Sequence, residues 1–236
     1  MFFHIIYIHM KIQNFIFTWN QFVPNAIDIE SKISKYGKTI VINSNVNEKH
    51  DRWINLNDGY FAEQWNTLVS NIDSDTDFIF HIQSDAYVED FDILYSRFHE
   101  MLSKYDVGIY APNIDYTCHK YNIDLLNKVE ENVYEVTNTD CTCWFINTKI
   151  TKNKMIYDLN TNIIGYGVDW YYSAECLLQN KYILRDYTIK VNHPSHKNYD
   201  NDKANKLFFV WFEEQDDIIK QKMLELIEKH NDCLIG

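Results

Sequence analysis

Three short segments of the chain carry residue types able to do chemistry. Gln83-Ser84-Asp85-Ala86 follows directly on the apolar run Phe78 to Ile82, which puts a carboxylate at the end of a buried strand, where it can hold a divalent cation. Taken alone, Asp85 reads equally well as a cap for the turn or helix that follows. In Gly165-Tyr-Gly-Val-Asp169-Trp170, two glycines permit close backbone approach and an acid opens an aromatic-rich helix. Such an acid can take the proton of a bound hydroxyl, and it can also simply complement a helix dipole. Val191-Asn-His193-Pro-Ser-His196 ends a strand in two imidazoles, each a good metal ligand when neutral and each also an ordinary surface or core residue type. What joins the three segments is position, since each falls at the end of a strand-like run.

The elements that must position them can be read from periodicity. Asn14 to Trp19 and Lys38 to Ile42 are β-branched or aromatic runs, and Pro24 to Tyr36 between them begins with Pro and stops at Gly37, which gives strand, helix, strand. Phe61, Trp65, Leu68, Val69 and Ile72 form the stripe of an amphipathic helix, followed at once by the strand Asp77 to Ile82. A helix from Asp90, with Phe91, Leu94, Tyr95, Phe98 and Leu102 on one face, leads to a strand at Val107 to Tyr110. The second half offers a strand at Cys143 to Asn147, a helix at Asp169 to Gln179, a strand at Tyr182 to Val191 and a charged amphipathic C-terminal helix carrying Ile218, Ile219, Met223, Leu226 and Ile227. This alternation predicts a single α/β domain with a mixed, mostly parallel central sheet and helices on both sides. The expected parts are a ligand-binding half at 1–112, a second half at 113–200 and a helical segment at 201–236. Ligands of such sheets bind beyond the carboxyl ends of the strands, where the three segments lie.

Composition narrows the function classes. Of 236 residues, 46% are apolar and 24% charged, which suits one packed domain rather than a disordered chain. The 34 acidic and 22 basic residues leave a net charge of −12, which disfavours nucleic acid and anionic lipid as partners. Only six Gly and three Pro occur, so collagenous and linker-like architectures are excluded. The apolar run Met1 to Met10 is about half the length of a membrane span and is interrupted by His4 and His9, so it reads as an edge strand or as an extension ahead of a start at Met10. It has no basic n-region and no cleavage site, and a cytoplasmic protein with no transmembrane segment is expected. The five cysteines match no zinc-binding spacing, and Cys141 and Cys143 read as small buried residues. The wealth of Asn, Ile, Lys and Tyr suggests an AT-rich coding genome, viral or from a low-GC microbe.

The order of these motifs resembles that of nucleotide-sugar glycosyltransferases of the GT-A fold, family 2-like, from about Asn14 to Asp200: the opening strand–helix–strand, the helix near Asn57-Asp-Gly59 to Asn66, the strand ending in QSDA, GYGVDW and a late His. The resemblance implies transfer of a sugar from a nucleotide-diphosphate donor to a glycan or other hydroxyl acceptor, inverting and assisted by Mn²⁺ or Mg²⁺. It implies Asp85 and His193 as metal ligands, with Gln83 standing where the family's signature has its first Asp. Asp169 takes the place of the catalytic base. Thr18, Trp19, Asn43, Tyr60, Gln64, Gln83, Ser84 and Asp85 are implied in donor binding. On the acceptor side the aromatic faces of Trp144, Tyr166, Trp170 and Tyr171, together with Gly167 and Asp140, are expected.

Three other readings use the same residues. A viral or phage enzyme that glycosylates a modified DNA base would need a basic groove, which the scattered Lys and Arg do not suggest. A nonenzymatic nucleotide- or carbohydrate-binding module would explain Gln83. A metal-dependent hydrolase would use Asp85, His193 and His196, a sparse set for a two-metal centre. The oligomeric state is not readable from the residues.

Overall fold

The computed structural model describes residues 10–115, 125–151, 157–194 and 200–235. The Met1–Met10 run therefore lies outside the described residues except for Met10, and His196 lies outside them too. The elements in chain order are β1 (Ile12–Thr18), α1 (Val23–Ile33), β2 (Lys38–Asn43), β3 (Ile54–Asn55), α2 (Phe61–Ser70), β4 (Phe78–Gln83), β5 (Tyr87–Val88), α3 (Phe91–Lys104) and β6 (Val107–Ile114). They continue with β7 (Leu125–Glu130), β8 (Val133–Val136), β9 (Cys143–Asn147), α4 (Thr148–Thr151), α5 (Val168–Leu178), β10 (Tyr182–Asn192), α6 (Asn201–Glu213) and α7 (Asp217–Ile235).

The ten strands among the described residues form one sheet in the order β3-β2-β1-β4-β9-β6-β10-β8-β7, with β5 added against β10. The sheet is mixed, as expected. Parallel pairing is confined to β3-β2-β1-β4 and to β6-β10, while β9 runs antiparallel between β4 and β6, and the β7–β8 hairpin and β5 are antiparallel too. The parallel block is the strand–helix–strand unit read from the sequence. Of the antiparallel strands, β9 was expected at Cys143 to Asn147, while β5 and the β7–β8 hairpin are the ones the sequence signals least.

Two apolar layers hold the sheet. On one face α1 and α3 pack over Ile16, Phe80, Phe145 and Leu184, with Phe98 stacked on Phe145 at 3.9 Å between centroids. On the other, α2, α5 and the C-terminal helices cover Phe15, Phe17, Ile79, Trp144 and Ile146. A strand covered on both faces has no polar side, which is why β4 and β9 read as continuous apolar runs. Trp144 belongs to this second layer. It is wholly buried, packs on Trp65 and Tyr172, and donates its indole N–H to His81 Nδ1 at 3.2 Å. The expectation that it offers a face to an acceptor is corrected: on a two-sided strand an inward aromatic is core. Tyr171 is corrected on the same ground, being 7% exposed and packed near Trp211.

At the α1–β2 turn, Gly37 is required by close approach, since a Cβ there would meet the Ile12 carbonyl oxygen at 2.1 Å. Among the described residues no helix is long and apolar enough to cross a membrane.

Candidate active site

The carboxyl ends of β1, β2 and β4 open onto a cavity of about 430 Å³. Asp85 reaches it because β4 stops at Gln83, whose N–H bonds the Thr142 carbonyl, and the chain then turns with Ala86 N–H on the Gln83 carbonyl at 3.0 Å. After this turn β5 pairs back antiparallel on the last residues of β10, Val88 opposite Val191 and Tyr87 opposite Asn192. That short ladder carries His193 to the side of Asp85, with Nε2 3.4 Å from Oδ2. A further bond holds the imidazole's backbone: His193 N–H donates to Asp115 Oδ1 at 2.9 Å, just past the end of β6.

Asp169 also lines the cavity, on the first turn of α5 and 7% exposed. The loop before it is tied down at each step. Asn162 is buried; its Oδ1 accepts the Gly165 N–H at 3.1 Å and its Nδ2 donates to the Tyr166 carbonyl at 2.9 Å. The Tyr157 hydroxyl donates to the Gly165 carbonyl at 2.8 Å, and burial pushes that phenol well above its ordinary pKa, so it stays a donor. Gly165 and Gly167 have φ of +74° and +100°, and a Cβ on Gly167 would strike the Phe208 ring at 2.6 Å. Both positions therefore need glycine, for conformation and for packing under the loop.

The structure thus brings Asp85, Asp169 and His193 to one cavity, along with Trp19, Tyr60, Gln64, Gln83, Asp140, Tyr166 and Gly167. Other expected site residues lie beneath its wall, and three donor-side expectations need correction. The Thr18 side chain is buried, and the residue serves through its carbonyl, which accepts the Ser44 N–H and Gln64 Nε2. Asn43 is spent on the Glu48 carbonyl, Asn55 Oδ1 and the Asn45 N–H, which shape the loop after β2. Ser84 is buried and its carbonyl is held by Asn25. Gln64 reaches the cavity but also braces α2 to the Thr18 and Ile42 carbonyls. Trp170 packs half-buried on the second apolar layer and is not one of the cavity residues.

Residues the sequence reading missed complete the lining: Asn20, Ser44, Asp58, Gly59, Phe61, Cys141, Thr142, Ile164 and Val168. Asp58-Gly59 carried a turn signal that points to a strand-edge loop. Ser44 and Thr142 gave none, because a hydroxyl earns its place only through the contacts around it. Cys141 and Cys143, expected as buried neighbours, divide: Cys143 is buried in β9 with its thiol pKa pushed up by burial, while half-buried Cys141 lines the cavity.

The fit of a divalent ion can be judged from the donor set. Asp85 Oδ1 is buried and has no hydrogen-bond partner among the described residues, and Oδ2 faces His193. Two ligands of one ion, each about 2.1 Å from it, stand about 3 Å apart, close to the separation seen. No group of three His, Cys, Asp or Glu able to hold a metal occurs among the described residues. An ion here would complete its shell with phosphate oxygens and water, the habit of Mg²⁺ sites. The residues fit such an ion.

No protein-family model matches the chain, and no curated protein sequence matches it. Solved structures do. A structure of GalNAc-T7 with UDP, GalNAc and Mn²⁺ superposes with a TM-score of 0.60 at 12% identity, covering 94% of this chain and 54% of that one. TarS of S. aureus superposes with a TM-score of 0.62 at 10% identity over 94% of this chain and 72% of that one, and its complex with UDP-GlcNAc with 0.58 at 12% identity. The chain spans about half the length of the GalNAc-T7 structure. The fold class follows: a single α/β domain with a mixed central sheet flanked by helices, the GT-A-like fold of these glycosyltransferases.

Proposed function

We propose that the protein is a nucleotide-sugar glycosyltransferase, inverting and assisted by Mn²⁺ or Mg²⁺. The observation that carries this reading is the convergence of Asp85, Asp169 and His193, 84 and 24 residues apart in sequence, on one cavity at the carboxyl edge of the sheet. The fold of the cavity's owner is the one found in enzymes solved with UDP, UDP-GlcNAc and Mn²⁺.

In this reading Trp19, Asn20, Ser44 and Tyr60 receive the nucleoside, and Asp85 and His193 would hold a divalent ion. A bound divalent ion supplies Lewis-acid neutralisation of the departing diphosphate. The need for it is local: the described residues lining the cavity include four carboxylates, one imidazole and neither Lys nor Arg. Asp169 accepts the proton of the acceptor hydroxyl while that oxygen bonds the anomeric carbon from the face opposite the diphosphate. The anomeric C–O bond breaks with its electron pair going to the β-phosphate oxygen, which inverts the anomeric centre. The firmly tied Gly165–Gly167 loop contributes by fixing where Asp169 accepts that proton.

The test is Asp169→Asn, which keeps size and hydrogen bonding but removes basicity. Turnover of nucleotide sugar should fall by about 10²- to 10⁴-fold with donor affinity within twofold of wild type. Undiminished turnover would move the base elsewhere.

A further inference from the structure

We propose that Arg185 anchors an oxyanion, a carboxylate or a phosphate, carried by the acceptor. The proposal rests on the transferase reading and deepens it by naming the acceptor's chemical class. It begins with the company each guanidinium keeps. The chain has three arginines. Arg52 pairs with Glu30 at 3.8 Å, and Arg97 pairs with Glu100 at 2.5 Å and with Asp186 at 2.9 Å. Arg185, 2% exposed, is the most deeply buried of the three and has no carboxylate partner among the described residues. Its Nη2 donates to Asn113 Oδ1 at 3.3 Å and to the Ile114 carbonyl at 3.2 Å, and its Cζ lies 5.5 Å from the Tyr187 ring centre. Its buried Nε–H has no partner among the described residues. Asp186 beside it offers no relief, because successive residues of β10 point to opposite faces and Asp186 is spent on Arg97 and the Tyr110 hydroxyl. A guanidinium stays charged inside proteins, and burying one without a counter-charge and with a donor unused costs stability that a bound anion restores.

The position of Arg185 says whose anion this is. By strand alternation it shares the face of Ile183, which belongs to the second apolar layer, the layer that α5 and its Asp169 cover. The carbonyl it holds is that of Ile114, the last residue of β6; the next residue, Asp115, accepts the His193 N–H, and His193 faces Asp85. Arg185 thus lies outside the cavity lining but one strand end from the Asp85–His193 pair. On its other side it pairs with Tyr134 of β8. The chain leaving β8 passes through Thr137 and Thr139, both buried with hydroxyls that have no partner among the described residues, before reaching Asp140 and Cys141 in the cavity. Asn113 and Tyr187, which flank the guanidinium, are only half-buried, so it sits one side chain below the surface. Its Nε–H and one Nη2–H leave the same edge in parallel, the fork that receives two oxygens of a carboxylate or phosphate. An oxyanion that displaces the Asn113 amide takes both and leaves the Ile114 bond in place. With the donor's diphosphate held at Asp85, an anion at Arg185 belongs to the acceptor.

The test uses Asn113→Asp, which sets a carboxylate against Arg185 at nearly unchanged volume, and Arg185→Met, which removes the cation. Inorganic phosphate is titrated into the full chain in EDTA, against chloride at matched ionic strength, with melting temperature as the readout. At about ten times its dissociation constant, phosphate should raise the wild-type melting temperature by about 3 °C beyond the shift in either variant. The variants thereby subtract the general stabilising action of phosphate. Where Arg185→Met fails to fold, Asn113→Asp decides, since its guanidinium keeps the Ile114 bond and it should melt at or above wild type without phosphate. Equal phosphate shifts in wild type and Asn113→Asp overturn the proposal. In transfer assays a sugar phosphate or a uronic acid should exceed its neutral parent in kcat/KM by about tenfold to a hundredfold, the two arms telling phosphate from carboxylate, and Asn113→Asp should abolish the advantage. A neutral parent that equals both also overturns it. Failure of the transferase reading looks different: no nucleoside diphosphate stabilises the protein in Mn²⁺, whatever the phosphate titration gives.

Discussion

The two ends of β1 treat buried polar groups in opposite ways. At its amino end Gln13 and Asn14 are wholly buried and fully used. Gln13 donates to the Asn71 carbonyl and accepts from Asp73 N–H and the Thr76 hydroxyl. Asn14 donates to the Ile33 and Gly37 carbonyls and to Thr39 Oγ1, and accepts from the Tyr95 hydroxyl at 2.8 Å. At the carboxyl end and on the neighbouring strands, Thr18 Oγ1, Ser44 Oγ, Ser84 Oγ and Asp85 Oδ1 are buried with no partner among the described residues. A satisfied buried amide is architecture. Unsatisfied oxygens at one sheet edge cost stability in the free protein, and of these Ser44 and Asp85 line the cavity while Thr18 and Ser84 do not.

The largest effect that would sharpen this contrast is at the satisfied end. Asn14→Leu leaves the Tyr95 hydroxyl and two carbonyls without their buried partner, and should cost about 2–4 kcal/mol, or roughly 5–15 °C in melting temperature for a chain of this size. Calorimetry on the same variant should find nucleotide affinity of the folded protein unchanged. A loss of affinity without loss of stability would break the assignment of that end to structure.

A pH-dependent effect of similar size comes from His81, midway along β4. Burial pushes its pKa down to about 3, below the ordinary 6.5, so the folded state keeps it neutral while the unfolded chain takes up a proton below about 6.5. Its contribution is full above that pH and is lost as pH falls toward 3, at up to about 1.4 kcal/mol per unit. Denaturant unfolding between about pH 6 and 4 should show a shallower acid loss in His81→Asn than in wild type. Equal slopes would mean that the imidazole charges in place.

The smallest effects separate two orphaned hydroxyls. Ser44 lines the cavity and Thr18 does not. Ser44→Ala should weaken nucleotide binding by about threefold to tenfold, whereas Thr18→Val should leave it within twofold and leave stability equal or up to about 1 kcal/mol higher. Equal losses of affinity from both would place Thr18 in contact with ligand after all.

Much of this was legible in the residues, for stated reasons. Runs such as Phe78–Ile82 are apolar because both faces of β4 are covered, and the stripe from Phe61 to Leu68 is the buried side of α2. The β7–β8 hairpin escaped notice because it sits at the sheet edge, half-exposed and rich in charge, turning at Asn132 with φ of +60°. Helix α6 falls inside the helical segment expected at 201–236, although exposed Phe209 and Val210 blur the helical period that buried Trp211 and Phe212 would give. At the cavity, Asp85 and His193 lie just past the ends of β4 and β10, as their strand-end position in the sequence led one to expect, whereas Asp169 opens α5 after a loop and not after a strand. Trp144 was misread because aromatic identity cannot distinguish a platform from a core. The β5–β10 ladder, which seats His193 beside Asp85, is two residues long and leaves no pattern to read.

The central claim is that the orphaned edge binds a sugar-nucleotide diphosphate through a cation. It is tested most directly by calorimetric titration of a panel of nucleoside diphosphates into wild type, Asp85→Ala and Asp169→Asn, each with Mn²⁺ and with EDTA. The account predicts that one nucleotide binds wild type and Asp169→Asn alike in Mn²⁺, and binds at least about tenfold more weakly in EDTA or to Asp85→Ala. Binding that is indifferent to both Mn²⁺ and Asp85, or no binding of any nucleotide, would contradict it.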